Sequence, residues 1–395
     1  MRKILIISFQ SLTKTDAGGT GKIAYHIAQE LANQGHLVSL IVSSKGKFDT
    51  NFPSKPVSIF SRYYLWLLNH LLSKKLISAY HKRYFEERLF DFFCQKHISD
   101  EVRLVISTNP FILKTLGKVR RKGIRSVLVP GNPADTAIYE KVVDEKNKWS
   151  LSGVDAYTFK PRISYFDKSV RLFDHIICHS SVIQRTFIEQ YQEKNITSCF
   201  GVLWVPAQVQ IGEVPKKSKF IVLYVAYTVL LKGLQYLLRA WENLKIKNME
   251  LWIIGSLDPM IQNLIAKEFY NLSNVKFYGN QRSLSSYFSE ASLFVAPSLI
   301  EGGPVTVLEA MSHKLPVLIT NDCGVRDIIE DGKNGFIIPA KNSVAIAEHI
   351  EWAFHNPDEL RRIGIEGHQT LQDYRFRDFV KCITSQVIAT NERHN

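Results

Sequence analysis

Short apolar runs alternate with amphipathic stretches along the first half of the chain. The run 3–8 leads through a polar, glycine-containing loop into an amphipathic stretch at 22–33, and a second apolar run follows at 37–42. Short apolar runs predict buried strands and a 3.6-residue apolar period predicts a helix, so the segment predicts a β-α-β unit. Further apolar runs lie at 104–107, 126–129 and 175–178. Because parallel strands need long crossovers, the pattern predicts a parallel sheet with helices on both faces.

The same alternation starts again after a polar segment with proline and lysines between residues 208 and 219. Strand-like runs then recur at 220–226, 251–254, 275–278, 293–296 and 316–319. The sequence therefore predicts an α/β protein of two doubly wound, Rossmann-like domains, residues 1–207 and 208–373. Such sheets bind ligands at the carboxyl ends of their strands, so the cleft between two facing domains is the expected site.

Composition and charge narrow the possible classes of protein. Of 395 residues 45% are hydrophobic and 22% charged, which excludes a disordered or collagen-like chain. The longest nearly apolar stretch, 220–231, is shorter than the roughly 18–20 residues of a membrane-spanning helix. The first apolar run is too short for a signal peptide, so we expect a cytoplasmic protein. The net charge of +13 indicates attraction to nucleic acid, an anionic membrane or a phosphate-bearing substrate. No nucleic-acid recognition motif occurs, so we expect no nucleic-acid partner.

The cysteines give no sign of a metal site. The chain has five, with no C-x-x-C spacing and no paired histidine spacing of the kind that binds zinc. They are Cys94, Cys178, Cys199, Cys323 and Cys382. We expect all five to be reduced and buried.

Residues 61–96 combine aromatic and basic side chains at helical spacing. The aromatic ones are Tyr63, Tyr64, Trp66, Tyr80, Tyr84, Phe85, Phe90, Phe92 and Phe93, and the basic ones are Arg62, Lys74, Lys75, Lys82, Arg83, Arg88 and Lys96. This mixture suits the surface of an anionic membrane, where rings bury at headgroup level and cations meet lipid phosphate. It suits equally a pair of core helices whose lysines reach solvent.

The most informative stretch is 296–318. A predicted strand ends at Pro297, two glycines follow, and Pro304 occupies the expected first position of a helix. The first amides of such a helix lack partners and carry the positive end of its dipole, so the turn can receive a diphosphate. Glu309 lies in an apolar helical context where an unpaired carboxylate is costly, which favours a functional role. Glu301 precedes the turn and is placed to meet a sugar.

Glu301 and Glu309 are separated by seven residues, between P-S and E-A-M and before a proline-led strand. In this setting the sequence resembles the family 4 retaining glycosyltransferases of the GT-B fold, of the glycosyl transferases group 1 type, whose signature is E-x7-E. Further segments resemble motifs of that family: the glycine loop 18–21, the strand and turn 174–181, the F-G-V at 200–202, Lys232-Gly233, and the D-G-K-N-G-F turn at 331–336. The resemblance covers essentially the whole chain and is best at 224–339.

The resemblance implies transfer of a sugar, with retention, from a nucleotide-diphosphate donor to a glycan or lipid-linked acceptor in cell-envelope polysaccharide synthesis. Lys232 is then expected to neutralise the leaving diphosphate, Glu301 to hold donor-sugar hydroxyls and Glu309 to bind the ribose. Backbone amides and the base-binding and glycine loops complete the implied donor site: Gly302, Gly303, Val305, Thr306, Gly279, Asn280, Arg282, Gly18 and Gly19. No D-x-D occurs, so we expect no metal and no other cofactor. By analogy with the fold, residues 374–395 are expected to return to the first domain.

Two positions depart from the family pattern. Tyr227 stands where the family has an arginine, and Ala134 stands where many members have a histidine. Asp135, next to Ala134, is the candidate base at the acceptor. These departures leave a second hypothesis open, a degenerate GT-B protein that binds nucleotide sugar or a partner without transfer. The sequence does not reveal the donor base, the sugar, the acceptor or the oligomeric state.

Overall fold

The computed structural model describes residues 3–12, 19–46, 50–201, 219–244, 246–374 and 376–392. The chain divides into two compact units. The first unit contains residues 1–140, 154–203 and 377–395, and the second contains residues 141–153 and 204–376. Gly18 and the predicted boundary at 207/208 lie outside the described residues.

The first unit is built on a seven-stranded parallel sheet of order β3-β2-β1-β4-β5-β6-β7. The strands are β1 Lys3–Ser8, β2 Leu37–Val42, β3 Ser54–Pro56, β4 Val102–Ser107, β5 Arg125–Leu128, β6 His175–Cys178 and β7 Asn195–Ser198. The helices are α1 Gly19–Asn33, α2 Ser61–Ser73, α3 Ala79–Cys94, α4 Leu113–Arg121, α5 Asp135–Lys148, α6 Lys160–Val170 and α7 Ser181–Gln190. Helix α5 belongs to the first unit up to residue 140, and its residues from 141 onward belong to the second. Central strands such as β1 and β4 are buried on both faces, which explains their continuous apolar sequence.

The second unit is built on a six-stranded parallel sheet of order β10-β9-β8-β11-β12-β13. The strands are β8 Phe220–Val225, β9 Met249–Ile254, β10 Val275–Gly279, β11 Leu293–Ala296, β12 Val317–Thr320 and β13 Phe336–Ile338. The helices are α8 Leu234–Asn243, α9 Pro259–Glu268, α10 Ser285–Glu290, α11 Val305–Ser312, α12 Ser343–His355 and α13 Pro357–Asp373. The predicted α/β class with two parallel, Rossmann-like sheets is confirmed.

The last helix, α14 Phe376–Glu392, belongs to the first unit from residue 377 onward. Gln386 donates from Nε2 to the carbonyl oxygen of Ser198 at 2.9 Å, and the Thr390 hydroxyl lies 2.6 Å from His175 Nδ1. A disulfide joins Cys382 on this helix to Cys199, just after β7. These contacts fasten α14 to the edge of the first sheet.

The expectation of five reduced cysteines is wrong for this pair. Cys199 and Cys382 are 183 residues apart in sequence, and only the return of α14 brings their Cα atoms to 5.8 Å, a spacing ordinary for a disulfide. Cys94, Cys178 and Cys323 are free and buried, as expected. Burial raises the pKa of the Cys178 thiol, which disfavours the reactive thiolate.

Helix α3 contributes to the core of the first unit. Its Phe90 and Cys94 are fully buried in the main hydrophobic cluster, and the buried carboxylate of Asp91 accepts the amides of Lys114 and Thr115 at 2.8 and 2.9 Å. The core interpretation of residues 61–96 therefore holds for α3. Among the helices that the structure describes, none is long and apolar enough to cross a bilayer.

Candidate functional site

The strand order of the second sheet reverses between β8 and β11, and the loops that follow these two strands meet at their carboxyl ends. The amide of Leu299 donates to the carbonyl of Leu231 at 2.8 Å. Gly233 has φ of 71°, and a Cβ there would lie 1.8 Å from the carbonyl oxygen of Pro297. Only glycine permits this approach, so the sequence K-G is required for the two loops to touch. Crevices at such a reversal are the usual ligand sites of doubly wound sheets.

Lys232 and Glu301 form an ion pair at this point. The Glu301 carboxylate also accepts a hydrogen bond of 2.7 Å from the Ser298 hydroxyl. Its backbone is fixed as well, because the Glu301 amide donates to Asp322 O and the Gly324 amide donates to Glu301 O, both at 2.9 Å. The two charged side chains keep 28% and 15% of their surface exposed, so a ligand can reach both. The pair therefore offers one cation and one oriented acceptor to the same bound molecule.

Helix α11 starts two residues after the glycine pair. Pro304 is its N-cap and Val305 its first residue, one position later than the sequence predicts for proline. Pro304 supplies no side-chain cap, so within the described residues the amides of Val305 and Thr306 have no acceptor from the N-cap position. Uncapped N-terminal amides at the positive end of a helix dipole favour an anion. Gly302 and Gly303 bring the chain from Glu301 to this helix start.

Glu309 lies about one turn inside α11 and is half-buried between buried Leu308 and Ala310. Its carbonyl oxygen accepts from the Ser312 hydroxyl at 2.7 Å and from Nδ1 of His313 at 2.8 Å. Since a carbonyl only accepts, His313 donates from Nδ1 to this oxygen, and its Nε2 lies 2.9 Å from the Ser285 hydroxyl. His313 is thus a structural residue that fixes the C-terminal end of α11, while Glu309 keeps part of its surface accessible.

The predicted base-binding loop follows β10. Gly279, Asn280 and Arg282 are exposed, and Asn280 accepts at Oδ1 from the Ser256 hydroxyl at 2.9 Å. The Gly255 amide donates to Gly279 O at 2.8 Å, so the loops after β9 and β10 are joined. The structure thereby places this loop on the same carboxyl edge of the sheet as Lys232 and Glu301.

The sequence did not anticipate the support behind the Lys232 loop. Glu145, at the C-terminal end of α5, is fully buried, and Gln235 and Tyr236 donate to its carboxylate at 3.2 and 2.9 Å. Lys341 forms a 3.0 Å ion pair with it, and Trp149 donates to it at 3.1 Å. Gln235 Nε2 also donates to the carbonyl of Leu230, in the turn that ends at Lys232, at 3.1 Å. Trp149 lies one helical turn from Glu145, but the other partners are distant in sequence and no local signal identifies them.

In the first unit, Asp135 begins α5 and is 6% exposed. Its carboxylate forms an ion pair with Arg162, which is fully buried and also holds Glu87 through Nε at 2.8 Å and Nη2 at 2.9 Å. The ion pair with a buried guanidinium stabilises the start of α5 in its position. The predicted role of Asp135 as a base stays a prediction.

Ala134 is fully buried, and its amide donates to the Thr186 hydroxyl at 3.0 Å. Gly19 is the first residue of α1, and Gly131 approaches so closely that a Cβ would lie 2.1 Å from Thr20 Cγ2. His179 is buried nearby and hydrogen-bonds the Gly131 backbone, and burial lowers its pKa to about 4. His179 is therefore neutral at physiological pH and does not supply a cation in place of the missing family histidine. Tyr227, at the position of the family arginine, is 63% exposed.

No group of three or more His, Cys, Asp or Glu side chains placed to hold a metal ion occurs within the described ranges. The expectation of a metal-independent reaction stays a prediction.

The family model and two sequence relatives each match less than half of this chain. Residues 208–370 match the family model described as glycosyl transferases group 1. EpsD of Bacillus subtilis is 34% identical over 159 residues, which are 39% of this chain and 42% of that protein. The capsular polysaccharide biosynthesis glycosyltransferase CapM of Staphylococcus aureus is 29% identical over 162 residues, 40% of this chain and 42% of that protein. The chain thus matches less than half the length of these two relatives.

Two solved structures match over nearly their full length. Sucrose-phosphate synthase from Thermosynechococcus elongatus superposes with a TM-score of 0.69 at 17% identity, covering 99% of this chain and 100% of that one. HepE of Anabaena, in complex with UDP and glucose, superposes with a TM-score of 0.64 at 14% identity, covering 98% and 100%. At these identities the likeness shows the fold, which is that of GT-B glycosyltransferases. Residues 208–370 are thus similar to the glycosyl transferases group 1 family, and the chain has the GT-B fold that its sequence resembles.

Proposed function

We propose that the protein is a retaining family 4 glycosyltransferase that moves a sugar from a nucleotide-diphosphate donor to a glycan or lipid-linked acceptor in cell-envelope polysaccharide synthesis. The observation that carries the proposal is the joint placement of Lys232, Glu301 and the uncapped start of α11 at the strand reversal of the second sheet. The match to CapM supports polysaccharide synthesis, and the UDP and glucose bound to HepE support a nucleotide-sugar donor.

The donor diphosphate is proposed to lie on the amides of Gly302, Gly303, Val305 and Thr306, with Lys232 beside it. Negative charge grows on the diphosphate as the bond to the sugar breaks, so a fixed cation and fixed amide dipoles lower the barrier. Because Lys232 pairs with Glu301, a bound diphosphate competes for the same ammonium group. Glu301 is then available to accept hydroxyls of the donor sugar, held in orientation by Ser298.

Glu309 is proposed to accept the two ribose hydroxyls, and Gly279, Asn280 and Arg282 to border the base. Gly18 and Gly19 are also proposed to contact the donor. Asp135 is the proposed base for the acceptor hydroxyl. No metal or other cofactor is required in this scheme, since Lys232 and the amides neutralise the diphosphate. The reaction is proposed to take place in the cytoplasm, at the inner face of the membrane.

One observation favours a second candidate function. The position of the family histidine is the fully buried Ala134, and the neighbouring Asp135 is committed to Arg162. A chain with these features could bind a nucleotide sugar without transferring it. Donor hydrolysis separates the two candidates, since a binding protein releases no free nucleotide with any acceptor, whereas an enzyme does so slowly even with water.

A thermal-shift screen against UDP-, GDP- and ADP-sugars tests the proposed donor site. We expect one nucleotide class to raise the melting temperature by about 5–10 °C at 100 times its dissociation constant, because selective binding adds about 2.7 kcal/mol to the free energy of unfolding. Adenosine serves as the control ligand, since it lacks the phosphates that Lys232 and α11 would hold. If no nucleotide sugar stabilises the protein, the donor site is wrongly assigned.

A further inference from the structure

The outer face of α2 is apolar and exposed. Tyr63, Trp66 and Leu67 are 63%, 58% and 38% exposed, and Ile59 and Phe60, just before the helix, are 86% and 61% exposed. We name these five residues the α2 apolar face. Single exposed apolar side chains are ordinary, but five within nine residues form a patch of the kind that marks an interaction site.

The exposure of this face follows from how α2 is anchored. Ser61, Tyr64 and Leu68 lie on the opposite side of the helix and are buried. The Tyr64 ring stacks on Phe93 of α3 with centroids 5.8 Å apart. The buried side of α2 therefore packs on the first unit, and the helical period places the α2 apolar face on the solvent side.

The exposed rings are ordered into a row. Tyr63 stacks on Trp66 with centroids 6.0 Å apart, and Trp66 stacks on His70 at 5.7 Å. Tyrosine and tryptophan are the residues that prefer the boundary between lipid headgroups and acyl chains, because each combines an apolar ring with a polar group. A row of such rings along a helix suits a planar, amphipathic surface.

The chain segment that carries this face has an excess of positive charge. Residues 50–85 contain no Asp or Glu and six basic residues: Lys55, Arg62, Lys74, Lys75, Lys82 and Arg83. Lys82 and Arg83 pair with acids of α3. Arg62, Lys74 and Lys75 are exposed and take part in no salt bridge within the part of the chain that the structure describes. Positive charge therefore flanks the apolar face at both ends of α2.

We propose that the α2 apolar face docks on an anionic lipid bilayer, with its rings at headgroup level and Arg62, Lys74 and Lys75 on lipid phosphates. At 13 residues α2 is too short to span a bilayer and suits a position along its surface. The excess of positive charge in residues 50–85 disfavours a second copy of the chain as the occupant. The inference rests on the proposed function and deepens it. A lipid-linked acceptor lies in the membrane, so a transferase that uses it has to bind the membrane surface.

Sedimentation with vesicles, in the absence of any donor, tests the docking. We expect the full chain to pellet with vesicles of phosphatidylcholine and phosphatidylglycerol and to stay in solution with phosphatidylcholine alone. The double variant Tyr63→Ser/Trp66→Ser should bind at least tenfold more weakly, since two rings no longer bury. Lys74→Glu/Lys75→Glu should weaken binding by a similar factor, and added salt should do the same to the wild type.

The matched control is Tyr270→Ser/Phe277→Ser, which removes two exposed aromatic residues of the second unit and should bind vesicles like the wild type. Circular dichroism and stabilisation by the donor should be unchanged in all variants, which separates this test from the donor assignment. The proposal would be overturned if Tyr63→Ser/Trp66→Ser bound vesicles as strongly as the wild type. It would also be overturned if the wild type bound neutral and anionic vesicles equally. A dimer in sedimentation velocity that the ring substitutions dissociate would overturn it as well, because the face would then be an interface between two copies.

Discussion

Replacing Lys232 with methionine is expected to lower the rate of sugar transfer by roughly 10²- to 10³-fold. Methionine keeps the length and apolar stem of lysine and removes only the ammonium group. In the proposed reaction that group lies beside the departing diphosphate, where negative charge increases most. The measurement is the release of nucleotide diphosphate under saturating donor. Lys333→Met, at an exposed lysine of the same unit, should leave the rate unchanged.

The ion pair with Glu301 provides a sharper version of this experiment. Lys232→Met leaves the Glu301 carboxylate without its cation, so part of the loss could come from a displaced loop. The double variant Lys232→Met/Glu301→Gln removes both charges and should recover any lost stability. We expect it to remain as inactive as the single variant. Recovery of the transfer rate in the double variant would show that Lys232 serves only to neutralise Glu301.

Glu145→Ala is expected to reduce the free energy of unfolding by about 3–5 kcal/mol, because it removes a fully buried carboxylate from two buried donors and two half-buried ones. Those partners are the ammonium of Lys341, the amide of Gln235, the hydroxyl of Tyr236 and the indole of Trp149. Burial and the Glu145 carboxylate both raise the pKa of Tyr236, so its hydroxyl stays a donor. The melting temperature should fall by roughly 6–20 °C.

A separate effect on donor affinity should accompany this loss of stability. Gln235 connects Glu145 to the Leu230 carbonyl, and Leu230 begins the turn that carries Lys232. Below its melting temperature, Glu145→Ala should therefore bind the donor more weakly, and Glu145→Gln should fall between it and the wild type. Asp144→Ala, at an exposed neighbour on the same helix, is the control and should change neither the stability nor the donor affinity. Unchanged stability and unchanged donor affinity in Glu145→Ala would contradict the supporting role.

The sequence predicts those strands that are buried on both faces. In β1, β4, β8 and β9 every or nearly every residue is buried, and each reads as an apolar run. The strands that were not predicted, β3, β7 and β13, are edge strands, and β13 is an apolar run of only three residues. The three residues of β3 include a lysine and a proline, and β7 reads Asn-Ile-Thr-Ser. Edge strands face solvent on one side, so their sequences carry no continuous apolar signal.

The site could be predicted where it is contiguous in sequence. The turn at 296–306 and Glu309 lie within one strand-loop-helix unit, so their spacing alone indicates an anion site. The pairing of Lys232 with Glu301 spans 69 residues, and that of Glu145 with Tyr236 spans 91. Such contacts arise from the sheet order and leave no periodic trace in the sequence. The same reason hides the Cys199–Cys382 disulfide.

Titration calorimetry of the nucleoside diphosphate chosen by the thermal-shift screen, with the wild type and with Glu309→Ala, tests the central claim that α11 holds the nucleotide. We predict that the variant folds normally and binds roughly 10- to 100-fold more weakly, as expected for lost hydrogen bonds between ribose hydroxyls and a carboxylate. Glu351→Ala, at an exposed glutamate on α12, should bind like the wild type. Equal affinity in Glu309→Ala and the wild type would contradict the account.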